Sequence, residues 1–341
     1  MLTLTINGEP ITLDTPPTIT EMIAVRGIQP QRVAVAVNAE VVPRASWGQT
    51  VLQPGDRVDL VRAISGGSQE HDDPLVIASV PFASRLFLGT GRFPSPQVLR
   101  DALIASSTEL VTVSIRSLGL DGRGADGGLT DELDLSRYRL LPNTAGATSV
   151  RQAVYMAHLA REATNTNWVK LEVIGDERTL WPDPMGTVEA CKKLVADGFI
   201  VLAYTSGDLV TALRLQDAGA ASVMPLASMI GSGQGIQDRD SIQRIVERLS
   251  VPIVVDAGIG APSDAAIAME LGADACLVNT AISRSGDPVL MARAMKCSVE
   301  AGRMAFRAGR MPRLNDAVPS SPVIGIVHAP AHDTAAARPR G

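Results

Sequence analysis

Apolar and polar residues alternate in short runs near the start of the chain. Leu2–Gly8 (LTLTING) reads as a half-buried strand ending in Asn7-Gly8, a strong hairpin signal. Glu9–Asp14 is the returning strand. Thr18 and Glu21 have the spacing of a capping box and predict a helix that ends near Gly27. Arg32–Val42 alternates again and predicts one strand. Val58–Ile64, after the turn Pro54-Gly55-Asp56, predicts the last. The order is hairpin, helix, strand, strand, and it closes in Ser65-Gly66-Gly67. Ser68–Pro74 (SQEHDDP) is polar and acidic and reads as a linker.

From about Leu75 the pattern changes. Short β-branched runs alternate with helical stretches. The runs are Arg85–Gly91, Leu110–Arg116, Arg139–Gly146, Trp168–Gly175, Phe199–Ser206, Ala221–Leu226, Pro252–Gly260 and Ala275–Ile282, eight in all. Ser149–Ala163 and Gly207–Gly219 are typical of the helical stretches. Eight strand–helix repeats are the pattern of a parallel (β/α)8 TIM barrel, an α/β fold. A doubly wound open sheet is the second possibility, but no GxGxxG loop opens a helix after the first strand. Residues 320–341, rich in Ala, Pro and Arg, read as a disordered tail. The expected domains are 1–67, a linker over 68–74, and a barrel over 75–319.

Composition narrows the function classes. The 341 residues are 45% apolar and 20% charged, the balance of a globular protein. A net charge of -5 argues against a broad nucleic-acid surface while allowing a local phosphate pocket. No apolar run approaches the ~20 residues of a membrane helix, and the N-terminus lacks the features of a signal peptide. No membrane partner and a cytoplasmic location are expected. Cys191, Cys276 and Cys297 form no CxxC pair, and the four histidines have no metal-ligand spacing, so no metal site is expected. Of 31 basic residues, only Lys170, Lys192, Lys193 and Lys296 are lysine. Lys170 alone lies in an apolar strand.

Five constellations carry candidate chemistry. Lys170 and Glu172 stand two apart on a strand and so share a face, near the mouth where barrel enzymes work. A buried lysine is either paired or has a depressed pKa. In the second case the amine is a nucleophile able to form a Schiff base, with Glu172 shuttling protons. The alternative is an internal ion pair. Asp256 ends the apolar run of Pro252–Gly260, where Gly258 and Gly260 permit close anion approach. Asn279 and Thr280 end the eighth run. Loops after strands seven and eight form the common phosphate site of such barrels; taken singly, each also fits a plain tight turn. Ile230–Gly235 (IGSGQG) reads as a backbone cradle, a lid hinge or a flexible loop. Gly89–Gly91 and Pro142–Gly146 lie at strand mouths without an assigned role. Gly66-Gly67 fits either a hinge or a carrier terminus, whose carboxylate can be activated as an acyl adenylate.

Together these motifs resemble a known combination. Leu88–Phe93 (LGTGRF), Leu140–Gly146 (LLPNTAG), Val169–Gly175 (VKLEVIG), Asp183–Ala190, Leu194–Asp208, Met224–Ile236, Val251–Ser283, Asp287–Lys296 and Ser298–Arg303 resemble the thiazole synthase family of thiamin biosynthesis. Residues 1–67 resemble that pathway's sulfur carrier, ThiS, a ubiquitin-like β-grasp protein ending in Gly-Gly. The resemblance implies a carrier–synthase fusion. It implies that 1-deoxy-D-xylulose 5-phosphate condenses with dehydroglycine and with sulfur from a carrier thiocarboxylate, giving thiazole phosphate carboxylate. It places the ketose imine on Lys170 and acid–base work on Glu172 and Asp256. It places phosphosugar binding on Gly231, Ala257, Gly258, Asn279 and Thr280, and sulfur on Gly66-Gly67. The implied partners are a ThiF-type adenylating, sulfur-loading enzyme, a free or self-derived sulfur carrier, and further copies of the chain. No metal or redox cofactor is implied.

The sequence departs from that pattern twice. Arg116 is followed by Ser117, where relatives commonly carry a second basic residue. Gly67 is amide-bonded to Ser68, so a thiocarboxylate there requires cleavage. Three readings follow: a synthase with a releasable carrier, a synthase with a docking module served by a separate carrier, or another Schiff-base phosphosugar aldolase, isomerase or binding barrel.

Overall fold

A computed structural model describes residues 2–25, 33–62, 73–114 and 134–318. It comprises two compact units, Met1–Asp73 and Pro74–Gly341.

In the first unit, strand β1 (Leu2–Ile6) turns through Asn7 and Gly8, both at positive φ, into β2 (Glu9–Leu13). Helix α1 (Ile19–Val25) starts with the expected capping box. The Glu21 carboxylate accepts from the Thr18 N–H at 2.8 Å, and the Thr18 hydroxyl accepts from the Glu21 N–H at 3.3 Å. Ile19, Met22 and Ile23 of α1 pack on Leu4, Ile6, Val35, Trp47, Leu52 and Val58. Arg32–Val42, expected as one strand, is instead a hairpin within its described residues: β3 (Val33–Val37) and β4 (Glu40–Val42). Asn38 and Ala39, both with positive φ, turn the chain between them. An Asn-Ala pair is a weaker turn signal than Asn-Gly, because alanine resists that conformation. With β5 (Arg57–Arg62) the sheet runs β2-β1-β5-β3-β4, and β1 and β5 are parallel at its centre. A mixed sheet crossed by one helix is the β-grasp arrangement. Gly66-Gly67, most of the linker and the tail from 320 lie outside the described residues.

The second unit opens with a hairpin, β6 (Leu75–Ile77) and β7 (Val80–Phe82). Leu75, Ile77 and Phe82 join Phe87, Leu110, Leu141, Trp168, Leu202, Met224 and Val254 in an apolar plug. Eight parallel strands follow: β8 (Leu86–Gly89), β9 (Leu110–Ser114), β10 (Arg139–Asn143), β11 (Trp168–Leu171), β14 (Ile200–Thr205), β15 (Ser222–Pro225), β16 (Val254–Asp256) and β17 (Ala275–Val278). A small hairpin, β12 (Ile174–Asp176) with β13 (Trp181–Pro182), follows β11. Bridges Val223↔Ile253 and Leu226↔Asp256 join β15 to β16 and close the ring. Each of the eight expected strand runs holds one strand of this barrel.

Helices α2 (Pro96–Ser106), α3 (Val150–Thr164), α4 (Pro184–Ala196), α5 (Leu209–Asp217), α6 (Arg239–Arg248), α7 (Pro262–Glu270), a short α8 (Thr280–Ser283) and α9 (Pro288–Ala308) accompany the strands. Most begin at a side-chain cap: Ser95, Ser149, Asp183, Asp208, Asp238 and Asp287 each accept a first-turn N–H. Among the described residues no helix is long and apolar enough to cross a membrane.

Candidate active site

Strand alternation decides what enters the barrel. Leu110, Leu141, Trp168, Leu202 and Val254 point into the apolar plug. Two residues further along the same strands stand Thr112, Asn143, Lys170, Tyr204 and Asp256. Apart from Tyr204, these line a cavity of about 230 Å³ at the C-terminal mouth, with Glu172, Gly231, Ala257, Gly258, Asn279 and Thr280. The structure thus brings all the predicted barrel residues to one cavity. Arg116 and Ser117 lie outside the described residues.

Lys170, Glu172 and Asp256 are 6%, 4% and 3% exposed. The Lys170 Nζ is 2.5 Å from Asp256 Oδ2 and 3.4 Å from Glu172 Oε1. The Tyr204 ring lies beneath the ammonium, 5.6 Å from Nζ to its centroid, within cation–π range. Burial alone pulls the lysine down, but the charges of Asp256 and Glu172 outweigh it and hold the amine above the usual lysine range. The site therefore takes the paired form, and the resting amine is not depressed. Burial pushes the Glu172 carboxyl up against the opposing pull of Lys170, and the charge of Asp256 adds to the rise. This makes Glu172 a natural proton acceptor beside the amine.

Thr144, in the motif Pro142–Gly146, fixes the backbone that carries these groups. Its hydroxyl donates to the Glu172 carbonyl at 2.8 Å and accepts from the Glu172 N–H at 2.8 Å. Its own N–H donates to the Lys170 carbonyl at 3.1 Å. The motif had no assigned role in the sequence, because this pairing joins residues 28 positions apart.

The loops after strands six, seven and eight meet above the cavity. Ala257 and Gly258 both have positive φ, 65° and 73°. The Ala257 carbonyl accepts from Ala227 N–H and the Gly258 carbonyl from Gly235 N–H, both in or beside the strand-six loop. A trans peptide points its N–H opposite its carbonyl, so the Gly258 and Ile259 N–H groups face away from that loop. Neither donates to another described group. Close packing explains the glycines: a Cβ on Gly260 would lie within contact distance of the Gly233 carbonyl oxygen. This packing and the Gly235 N–H bond tie Ile230–Gly235 to the strand-seven loop. Asn279, with its amide oriented to donate, bonds the Gly91 and Gly89 carbonyls at 3.0 and 3.2 Å. It thus fastens the loop after strand one to the loop after strand eight, a role that its position in the sequence does not reveal.

Residues 76–322 match the family described as thiazole biosynthesis protein ThiG, and residues 4–67 match the ThiS family. The chain belongs to the thiazole synthase family. A thiazole synthase of Methylobacterium sp. is 53% identical over 76% of this chain and 96% of its own length. That of Paramagnetospirillum magneticum is 43% identical over 95% of this chain and 99% of its own, so the match takes in both units. Among solved structures, the BexX/CysO complex of Amycolatopsis orientalis contains a chain 35% identical, with a TM-score of 0.66, covering 72% of this chain and 100% of that one. This chain is thus an enzyme of thiazole formation in thiamine biosynthesis, with a ThiS-type domain at its N-terminus. Sequence reasoning left four residues around its amine without a role: Thr112, Asn143, Thr144 and Tyr204. The alternation placing Thr112, Asn143 and Tyr204 inward is visible in the strand runs. Their convergence on Lys170 is not.

Proposed function

We propose that the barrel condenses 1-deoxy-D-xylulose 5-phosphate with dehydroglycine and thiocarboxylate sulfur, through an imine on Lys170. The observation that carries this is an ammonium buried between two carboxylates at the mouth, facing loops rich in left-handed backbone. Glu172 or Asp256 takes the Lys170 proton, and the free amine adds to the ketone. Loss of water leaves the imine, which acidifies the neighbouring carbon. The same carboxylates then remove and return protons as the carbonyl migrates along the sugar. The sugar phosphate sits against Gly231, Ala257, Gly258, Asn279 and Thr280, where the Gly258 and Ile259 N–H groups are available. A ThiF-type adenylating enzyme loads the sulfur carrier. Three free cysteines accord with work in the reducing cytoplasm.

Borohydride trapping with the ketose phosphate, followed by peptide mass analysis, tests the imine. The expected adduct is on Lys170 and is absent from Lys170→Ala. An adduct that survives in Lys170→Ala would sink the assignment and favour another phosphosugar chemistry. For the carrier, we infer release of residues 1–67 by cleavage after Gly67. Intact mass of the chain from active native cells tests this, and full-length mass alone would favour a separate carrier.

A further inference from the structure

We propose that Asn143 and Thr112 determine substrate specificity by hydrogen-bonding the hydroxyl groups of the bound ketose phosphate. This rests on the imine reading above.

Asn143 is the direct register partner of Lys170 across the β10–β11 ladder, so its side chain stands beside the amine on the inner face. Its Oδ1 accepts from the Ala145 N–H at 3.4 Å, which turns the amide so that Nδ2 is left without a described partner. Thr112, on the neighbouring strand, is 6% exposed. Its backbone carbonyl is held by the Thr90 N–H and hydroxyl, at 3.3 and 3.0 Å, but its own hydroxyl bonds no described group. Both line the cavity. Thr112 is buried and Asn143 half-buried, and both face the cavity, the space a ligand fills.

Their chemistry selects the ligand group. Both are neutral, and the one described cation lining the cavity, Lys170, is already engaged by two carboxylates. A carboxylate at this wall would lack a counter-charge, whereas a hydroxyl needs only neutral partners. With the imine at strand four and the phosphate at strands six to eight, the hydroxylated carbons lie between. Holding the hydroxyl next to the imine carbon also fixes its C–H toward Glu172 or Asp256, as proton removal requires.

The test measures trapping rates on the full chain with 1-deoxy-D-xylulose 5-phosphate and its 3-deoxy and 4-deoxy analogues. The native protein is expected to trap each deoxy analogue about tenfold to a hundredfold more slowly. Asn143→Ala erases the difference for one hydroxyl, and the isosteric Thr112→Val for the other. Both variants keep the native preference for the phosphorylated over the unphosphorylated ketose. Undiminished discrimination in both variants overturns the inference, as does loss of the phosphate preference, which marks a merely structural role. A native protein that traps no ketose at Lys170 overturns the imine reading and this inference with it.

Discussion

Replacing Lys170 by methionine removes the cation and keeps the volume, leaving Glu172 and Asp256 buried with no counter-charge. In the native site Nζ is 2.5 and 3.4 Å from the two carboxylates. Breaking a buried pair by removing one partner costs about 3–5 kcal/mol, because the survivor is stranded. In a barrel of this size about 2–4 °C of melting temperature accompanies each kcal/mol, so the expected loss is roughly 6–20 °C near neutral pH. The dependence on pH is the sharper expectation. A raised carboxyl, as at Glu172, contributes stability that is present below its unfolded value and lost as pH rises through the folded one. Removing the cation takes away the pull that opposes the rise at Glu172, so the variant is penalised more from acid toward neutral pH. Lys170 is itself raised, and its contribution persists until pH climbs through the folded lysine value. The gap between native and variant protein therefore opens from acid to neutral pH and narrows again in strong alkali. Calorimetric melting at a series of pH values measures it. The triple variant Lys170→Met, Glu172→Gln, Asp256→Asn leaves no charge and recovers most of the loss. A gap that does not change with pH, or no loss at neutral pH in the single variant, refutes the reasoning.

Asp256→Asn removes a charge that helps hold Lys170 in its protonated form, so the pH profile of ketose trapping shifts to lower pH; an unmoved profile would assign that control elsewhere. Thr144→Val strands the Glu172 N–H and carbonyl, costing about 1–3 kcal/mol for each unsatisfied group, while Thr144→Ser retains the bonds; denaturant midpoints for the two variants check this. Ala257→Gly relieves left-handed strain of about 1 kcal/mol and raises the melting temperature; a fall would mean that the methyl group packs usefully. Gly260→Ala drives a methyl into the Gly233 carbonyl and separates the loops after strands six and seven, raising KM for the ketose phosphate more than it lowers kcat.

The barrel was legible because its signals are local. Eight strand-like runs, most ending in polar or glycine residues, located every barrel strand within a few positions, as Thr18 and Glu21 located the start of α1. The missed hairpin at Asn38-Ala39 lacks a glycine, and the β6–β7 hairpin turns through Ala78 and Ser79, neither a strong turn former. Lys170, Glu172 and Asp256 were visible as charges in apolar strands. Whether the amine would be depressed or raised was not, because that balance depends on a carboxylate 86 positions away arriving at 2.5 Å. Thr144, Asn143 and Thr112 stayed silent for a related reason. A hydroxyl or amide in a strand carries no sign of what it will face.

The stretch Asp256-Ala257-Gly258 joins two demands that conflict electrostatically. With all three groups ionised, the Lys170 end carries one net negative charge. At an effective dielectric near 20, two like charges about 4 Å apart repel by about 4 kcal/mol, so a phosphate group is driven from that end. The chain leaves extended conformation immediately after Asp256. Two successive residues with positive φ send their carbonyls to the strand-six loop and leave the Gly258 and Ile259 N–H groups without a partner among the described residues. A donor surface made of backbone carries no full charge that could draw the carboxylates from Lys170, yet it favours an anion. Under the proposed function, this geometry favours a phosphosugar bound with its phosphate toward the strand-six to strand-eight loops and its carbonyl toward the amine. A lysine or arginine in the cradle would bind phosphate more tightly. It would also compete for Asp256 and weaken the pairing that governs the proton on Lys170.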